Sequence, residues 1–127
     1  VDTVASVMTR DVLTVEPSDT IGEAAEKMTA SDVGAVVVLE HMARIVGIVT
    51  ERDLLRAVAS RARAAEARVR QWMTSDVMTI GPDTTVEEAA KIMFDNNFRH
   101  LPVVKDDRLL GIVSLRRLSR WAFEQPS

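Results

Sequence analysis

The sequence predicts an α+β fold built from two α/β-type repeats, each running strand, helix, strand, strand, helix, packed with pseudo-twofold symmetry. Three observations predict it. The same pattern is written twice in fixed order. Within each copy the apolar period switches between two and 3.6 residues at matching places. The 127 residues, 46% of them hydrophobic, can build a real core, yet one copy alone is too short to cover both faces of its sheet.

The duplication is read residue by residue. Val7-Met8-Thr9-Arg10-Asp11-Val12-Leu13-Thr14-Val15 returns as Trp72-Met73-Thr74-Ser75-Asp76-Val77-Met78-Thr79-Ile80. Thr20 to Ala25 returns as Thr85 to Ala90, Met28 as Met93, and Gly47-Ile48-Val49-Thr50 as Gly111-Ile112-Val113-Ser114. The offset is 65 residues at Met8 and Met73 but 64 at Gly47 and Gly111, so one residue is lost in the turn between Glu40 and Ile45. The repeats are placed at residues 1–60 and 71–127, with a linker at 61–70.

Each element follows in order. Val12 to Val15 and Val77 to Ile80 are short extended segments closed by Pro17 and Pro82. Thr20 with Glu23, and Thr85 with Glu88, are capping boxes that start a helix. Ile21, Ala24, Ala25 and Met28 then form a helical stripe, repeated by Val86, Ala89, Ala90 and Met93. Apolar runs at Ala35–Leu39 and Leu101–Val104 read as strands, followed across a polar turn by Ile45–Val49 and Leu109–Val113. Pro102 suggests an edge position or a strand's first residue. A second helix starts near Glu51 and near Leu115. Ala57 to Arg70 reads as a helical extension or a solvated linker. Packing the two repeats together is expected to leave a cleft between their sheets.

Composition excludes several functions. No cysteine is present, which removes thiolate catalysis, disulfides and Cys-ligated metal. Two distant histidines make no metal motif. There is no Gly-rich phosphate loop, nucleophile elbow or paired-histidine helix, so the chain is not expected to be an enzyme. No apolar run is long enough for a membrane span and no signal-peptide pattern is visible, so the expected place is the cytoplasm. The net charge of −3 argues against a general nucleic-acid binder.

The residues resemble a known family. Gly47-Ile48-Val49-Thr50-Glu51-Arg52-Asp53 is similar to the closing motif of CBS domains. Arg99-His100-Leu101-Pro102-Val103-Val104 and the leading Val7-Met8-Thr9 are similar to other family segments, and the resemblance covers nearly the whole chain in both copies. It implies a tandem CBS pair, or Bateman module, shaped as a disc with two clefts. It further implies a regulatory sensor for an adenosine-containing ligand such as AMP, ADP, ATP, NAD or S-adenosylmethionine, a homodimer, and an attached or partner protein under control.

The resemblance also implies site residues. Thr50 and Asp53 match the positions that touch ribose. An ionised carboxylate is acceptor-only and can receive both ribose hydroxyls, and a helix start favours anions. The same Thr50-x-x-Asp53 spacing is a helix cap, and the two roles are compatible. In the second copy Ser114 keeps the hydroxyl, but Arg117 replaces the acid and cannot accept from ribose. Two readings of Arg117 stand: it faces solvent beside a dead site, or its planar fork binds phosphate. Arg99 and His100 match positions near phosphates, whereas the first copy has Gly34 and Ala35. The family draws each adenine pocket from the opposite repeat, which implies Met73, Met78 and Phe98 for the Asp53 site, and Met8, Leu13 and Val33 for the Arg117 site. Such residues are also ordinary core.

Other features read simply. Arg61, Arg63, Arg68 and Arg70 form a solvated face with Glu66 as a local partner. Trp72, Trp121 and Phe123 are candidates for repeat packing or a dimer interface. The main rival to the sensor is a ligand-free dimerisation or docking module for a protein partner. A third reading is nucleic-acid binding through the 61–70 arginines with Arg99, Arg116, Arg117 and Arg120.

Overall fold

The computed structural model describes residues 2–125; Val1, Pro126 and Ser127, at the outer ends of the two expected repeats, lie outside the described residues. In chain order the elements are a 3-10 turn (Val4–Ser6), β1 (Thr14–Val15), α1 (Ile21–Ser31), β2 (Ala35–Glu40), β3 (Arg44–Thr50), α2 (Glu51–Ala59), α3 (Val69–Trp72), α4 (Val86–Asn96), β4 (His100–Lys105), β5 (Arg108–Ser114) and α5 (Leu115–Glu124). The fold is mixed α+β with two small sheets, β1-β2-β3 and β4-β5.

The caps act as their spacing predicts. Thr20 accepts from the Glu23 N–H at 3.1 Å, and Glu23 accepts from the Thr20 N–H at 2.9 Å. Thr85 and Glu88 repeat the exchange at 3.0 Å in both directions. The donated backbone N–H, then the threonine hydroxyl, holds the carboxyl of Glu23 below its ordinary value, and the same two causes act on Glu88. Both helices end on a left-handed residue, Asp32 and Asn97, types that tolerate that conformation. Between these ends the stripes are buried: Ile21, Ala24 and Met28 in α1, Val86, Ala89 and Met93 in α4. Each fully buried large side chain among them contributes roughly 1.5–3 kcal/mol.

The hairpins explain the change in offset. β4 and β5 are joined by Asp106 and Asp107, both at positive φ, as a two-residue turn of the primed kind requires. β2 and β3 are joined by three residues, His41, Met42 and Ala43. Each hairpin has a register shift at the equivalent place, between Val38 and Leu39 and between Val103 and Val104.

Pro102 is the third residue of β4 and lies on an edge strand of this two-stranded sheet, one of the two positions expected for it. It pairs with Ile112, whose own N–H and C=O both bond Thr9, so this pair exchanges no ladder bonds and loses none to proline. The missing N–H points to the other side. There Val37, the counterpart of Pro102, donates to the Leu13 carbonyl at 3.0 Å, and β1 forms a two-residue parallel strand beside β2. With proline in that place the corresponding bond to Met78 cannot form. The leading segment of the second copy shrinks to one bridge, Ile80 with Val103, instead of the expected strand.

Two compact units result. One is Leu13–Val77; the other joins the described residues before Leu13 to those from Met78 onward. Each unit is therefore completed by the leading segment of the other sequence copy. In the first unit, Thr74 exchanges backbone bonds with Ile48 at 2.9 and 3.0 Å, along the outer side of β3. In the second, Thr9 does the same with Ile112, at 2.9 Å each way. These crossings explain two glycines. A Cβ on Gly47 would lie 2.5 Å from the Met73 sulfur, and one on Gly111 would lie 2.7 Å from the Met8 sulfur and 2.8 Å from the Thr9 carbonyl oxygen.

The 61–70 stretch is docked rather than loose. The first N–H groups of α1, from Ile21 and Gly22, donate to the carbonyls of Ala67 and Ala64 at 2.9 Å. Val69 and Arg70 N–H groups bond the carbonyls of Asp19 and Pro17. Arg63 and Glu66 form an exposed ion pair at 3.7 Å. The core of this unit gathers Val15, Ala24, Met28, Val36, Val38, Val49 and Val69. The other gathers Val4, Met8, Ile80, Met93, Leu101, Val103, Val113 and Leu118, with Trp121 packed against it. Phe123 is exposed.

Candidate functional site

The turn from β3 into α2 builds the first corner. β3 ends on Thr50, whose extended backbone sets its hydroxyl over the helix start. The Asp53 N–H donates to Thr50 Oγ1 at 3.4 Å, while Thr50 N–H and hydroxyl both donate to Asp53 Oδ2, at 2.9 and 3.1 Å. On the other oxygen, Oδ1 accepts from Arg56 at 2.8 Å and from the Thr74 hydroxyl at 3.1 Å. Asp53 is 3% exposed. An unpartnered buried carboxylate would be costly; this one has four donors, which match the acceptor capacity of its two oxygens.

Arg56 and Thr74 were not among the residues singled out from the sequence. Arg56 lies three residues after Asp53, a spacing that faces it on a helix, and could have been found on that signal. Thr74 is part of the repeated Met-Thr element, but its contact with Asp53 spans 21 residues and depends on docking of the leading segment.

The second corner is built alike but charged oppositely. Ser114 caps α5 and accepts from the Arg117 N–H at 3.0 Å. Arg117 stands where Asp53 would be, and the first turn of α5 has no acid. The side chain is exposed, yet its Nε donates to the Val7 carbonyl at 3.0 Å. The matching carbonyl in the first unit is that of Trp72, and Arg56 donates to it at 3.3 Å. A guanidinium thus holds the same backbone carbonyl in both units, from different helix positions. His100 pairs in register with Ser114, and the Arg99 carbonyl accepts from the Leu115 N–H at 2.8 Å. Arg99, His100, Ser114 and Arg117 therefore gather where β4 begins and α5 starts.

The remaining predicted residues divide between the units. Thr50, Asp53 and Met73 belong to the first, where Met73 packs against the core and over Gly47. Leu13 packs against that core too, and Val33 is exposed. Met78 and Phe98 belong to the second unit: Met78 is 40% exposed, and Phe98 packs on its core. Met8 is buried in that core, beside Gly111. Among the described residues no helix is long and apolar enough to cross a membrane.

Comparison with known proteins adds the following. The CBS domain family model matches residues 4–60 and 69–124. The chain is 42% identical over 118 residues to an uncharacterized 17.7 kDa protein from the bps2 3′ region of Acidianus ambivalens, covering 92% of this chain and 71% of that protein. It is 39% identical over 115 residues to the uncharacterized protein MK0525 of Methanopyrus kandleri, covering 89% of this chain and 59% of that one. Among solved structures, the CBS domain pair of protein MJ0100, in complex with 5-methylthioadenosine and S-adenosyl-L-methionine, superposes with a TM-score of 0.90 at 26% identity, over 97% of each chain. CBSX2 in complex with AMP superposes with a TM-score of 0.81 at 28% identity, over 98% of each chain.

Proposed function

Because the chain belongs to the CBS domain family, as a tandem pair, we propose that it is a regulatory sensor that binds an adenosine-containing nucleotide at the Thr50–Asp53 corner. The observation that carries this reading is the pairing of a buried carboxylate with a threonine hydroxyl at a helix start. A carboxylate there can take the two hydroxyls of a ribose, and the N-terminus of α2 favours the phosphate that follows. Two structural relatives carry AMP or S-adenosylmethionine, which supports the ligand class. Arg117 cannot accept from a ribose, so the Ser114 corner is not proposed as an equivalent nucleotide site. A ligand regulates only through different affinity for two arrangements of the protein.

A thermal-shift screen with AMP, ADP, ATP, NAD and S-adenosylmethionine tests the reading, on wild type and Asp53→Ala side by side. At least one ligand should raise the wild-type melting temperature, because it binds the folded state alone. Asp53→Ala should bind that ligand about tenfold more weakly or worse, since hydrogen bonds to charged groups are worth roughly 1.5–3 kcal/mol. The variant also loses its internal bonds, so its ligand shift is read against its own baseline.

One observation favours a second reading, a ligand-free docking module: every acceptor position of Asp53 is already filled from within the unit. No shift with any of the five ligands would overturn the sensor and favour that reading.

A further inference from the structure

We propose that Asp53 works as a latch, in which a bound ribose displaces Thr74 and Arg56 from the carboxylate and so loosens the hold of α2 on the Trp72–Thr74 segment; this rests on the sensor reading above. The argument starts from the four donors on the carboxylate. Two come from Thr50, three residues away, and are part of the cap that starts α2. Removing them would take away half of the capping box that starts α2. The other two come from the Arg56 guanidinium, on Oδ1, and from the Thr74 hydroxyl, on Oδ1 at 3.1 Å with Oδ2 also within reach at 3.4 Å. These can leave without disturbing the cap. The Thr74 hydroxyl turns on one torsion, and the Arg56 side chain is 56% exposed and can be solvated. A ribose that binds Asp53 therefore takes Oδ1 in their place.

Both displaced groups tie α2 to the same stretch of chain. Thr74 belongs to it, and Arg56 also donates to the Trp72 carbonyl at 3.3 Å. With both displaced from the carboxylate, the segment keeps its backbone exchange with Ile48 and the packing of Met73 over Gly47, loses the Thr74 tie to α2, and is held by an Arg56 that the carboxylate no longer braces. Three residues further on, the unit ends at Val77 and the chain enters the other unit at Met78. Arg117 bears no carboxylate, so its hold on the Val7 carbonyl has no such release.

The distinguishing consequence is that Thr74 opposes binding. Titration calorimetry of AMP into wild type, Thr74→Val and Thr74→Ser separates the outcomes, with a melting curve on each to show that it is folded. Thr74→Val should melt lower than wild type yet bind AMP roughly tenfold more tightly, because the ligand no longer displaces a bond to a charged group. Thr74→Ser, which keeps the hydroxyl, should bind as wild type does. Equal or weaker binding by Thr74→Val, with wild type binding AMP, would overturn the latch and leave the sensor standing. Failure of the wild type to bind AMP would overturn the latch for this ligand, and failure with every nucleotide of the screen would overturn the sensor as well.

Discussion

At Asp53 the helix cap is observed in the structure, and the ribose contact is the role proposed for the same carboxylate. The Thr50–Asp53 spacing made the cap legible in the sequence, while the family likeness implied the ribose contact that is proposed for it. The bond from Thr74 was not legible, because a contact across 21 residues depends on where a distant segment docks. Gly111 makes the same point. Its place in the repeated Gly-Ile-Val motif is plain in the sequence, but its cause, a backbone carbonyl where a Cβ would stand, is set by the Thr9 crossing. Gly111→Ala forces that segment off β5. It should destabilise the protein by about 1–3 kcal/mol, the usual cost of overpacking. Gly47→Ala should cost less, because its closest neighbour is the flexible end of Met73 and the nearest carbonyl is farther, at 3.0 Å. Urea unfolding of the two variants against wild type reads the difference; an unperturbed Gly111→Ala would contradict it.

At the scale of elements, the helices were the most legible part. Their starts rest on contacts three residues apart, and their faces on a local period, so nothing distant was needed. The strands were less so. The second leading segment promises a strand by its likeness to the first, and Pro102 removes it by withholding one N–H from Met78, 24 positions back. The capping boxes carry a prediction about pH. Glu23 and Glu88 have folded values below the unfolded one, so their contribution is present at neutral pH and disappears as pH falls from near 4.3, the ordinary glutamate value, through the folded value. The urea midpoint of wild type should therefore fall more steeply below that pH than the midpoint of the Glu23→Gln, Glu88→Gln double variant. Glutamine keeps an acceptor for the box but does not titrate. Parallel profiles would show that the two carboxylates add nothing.

For the whole molecule, the sequence repeat and the compact unit are different divisions of the chain. Similarity groups each leading segment with the residues that follow it. Docking instead places Thr9 beside Ile112 and Thr74 beside Ile48. A repeat is visible by comparison within the sequence, whereas the partner of a leading segment is fixed only when the chain folds. The exchange also gives the two corners their separate characters. Both fasten an incoming segment through an arginine, but only one sets a carboxylate between the helix and that segment. The sensing role proposed for the chain rests on that carboxylate. The most direct test is an amide chemical-shift map of the wild-type protein as AMP, ATP and S-adenosylmethionine are added in turn. The account predicts that at least one of them moves the amides of Thr50 to Asp53 together with that of Thr74. Saturation by a nucleotide that leaves these amides in place and moves others, or no movement with any of the three, would contradict it.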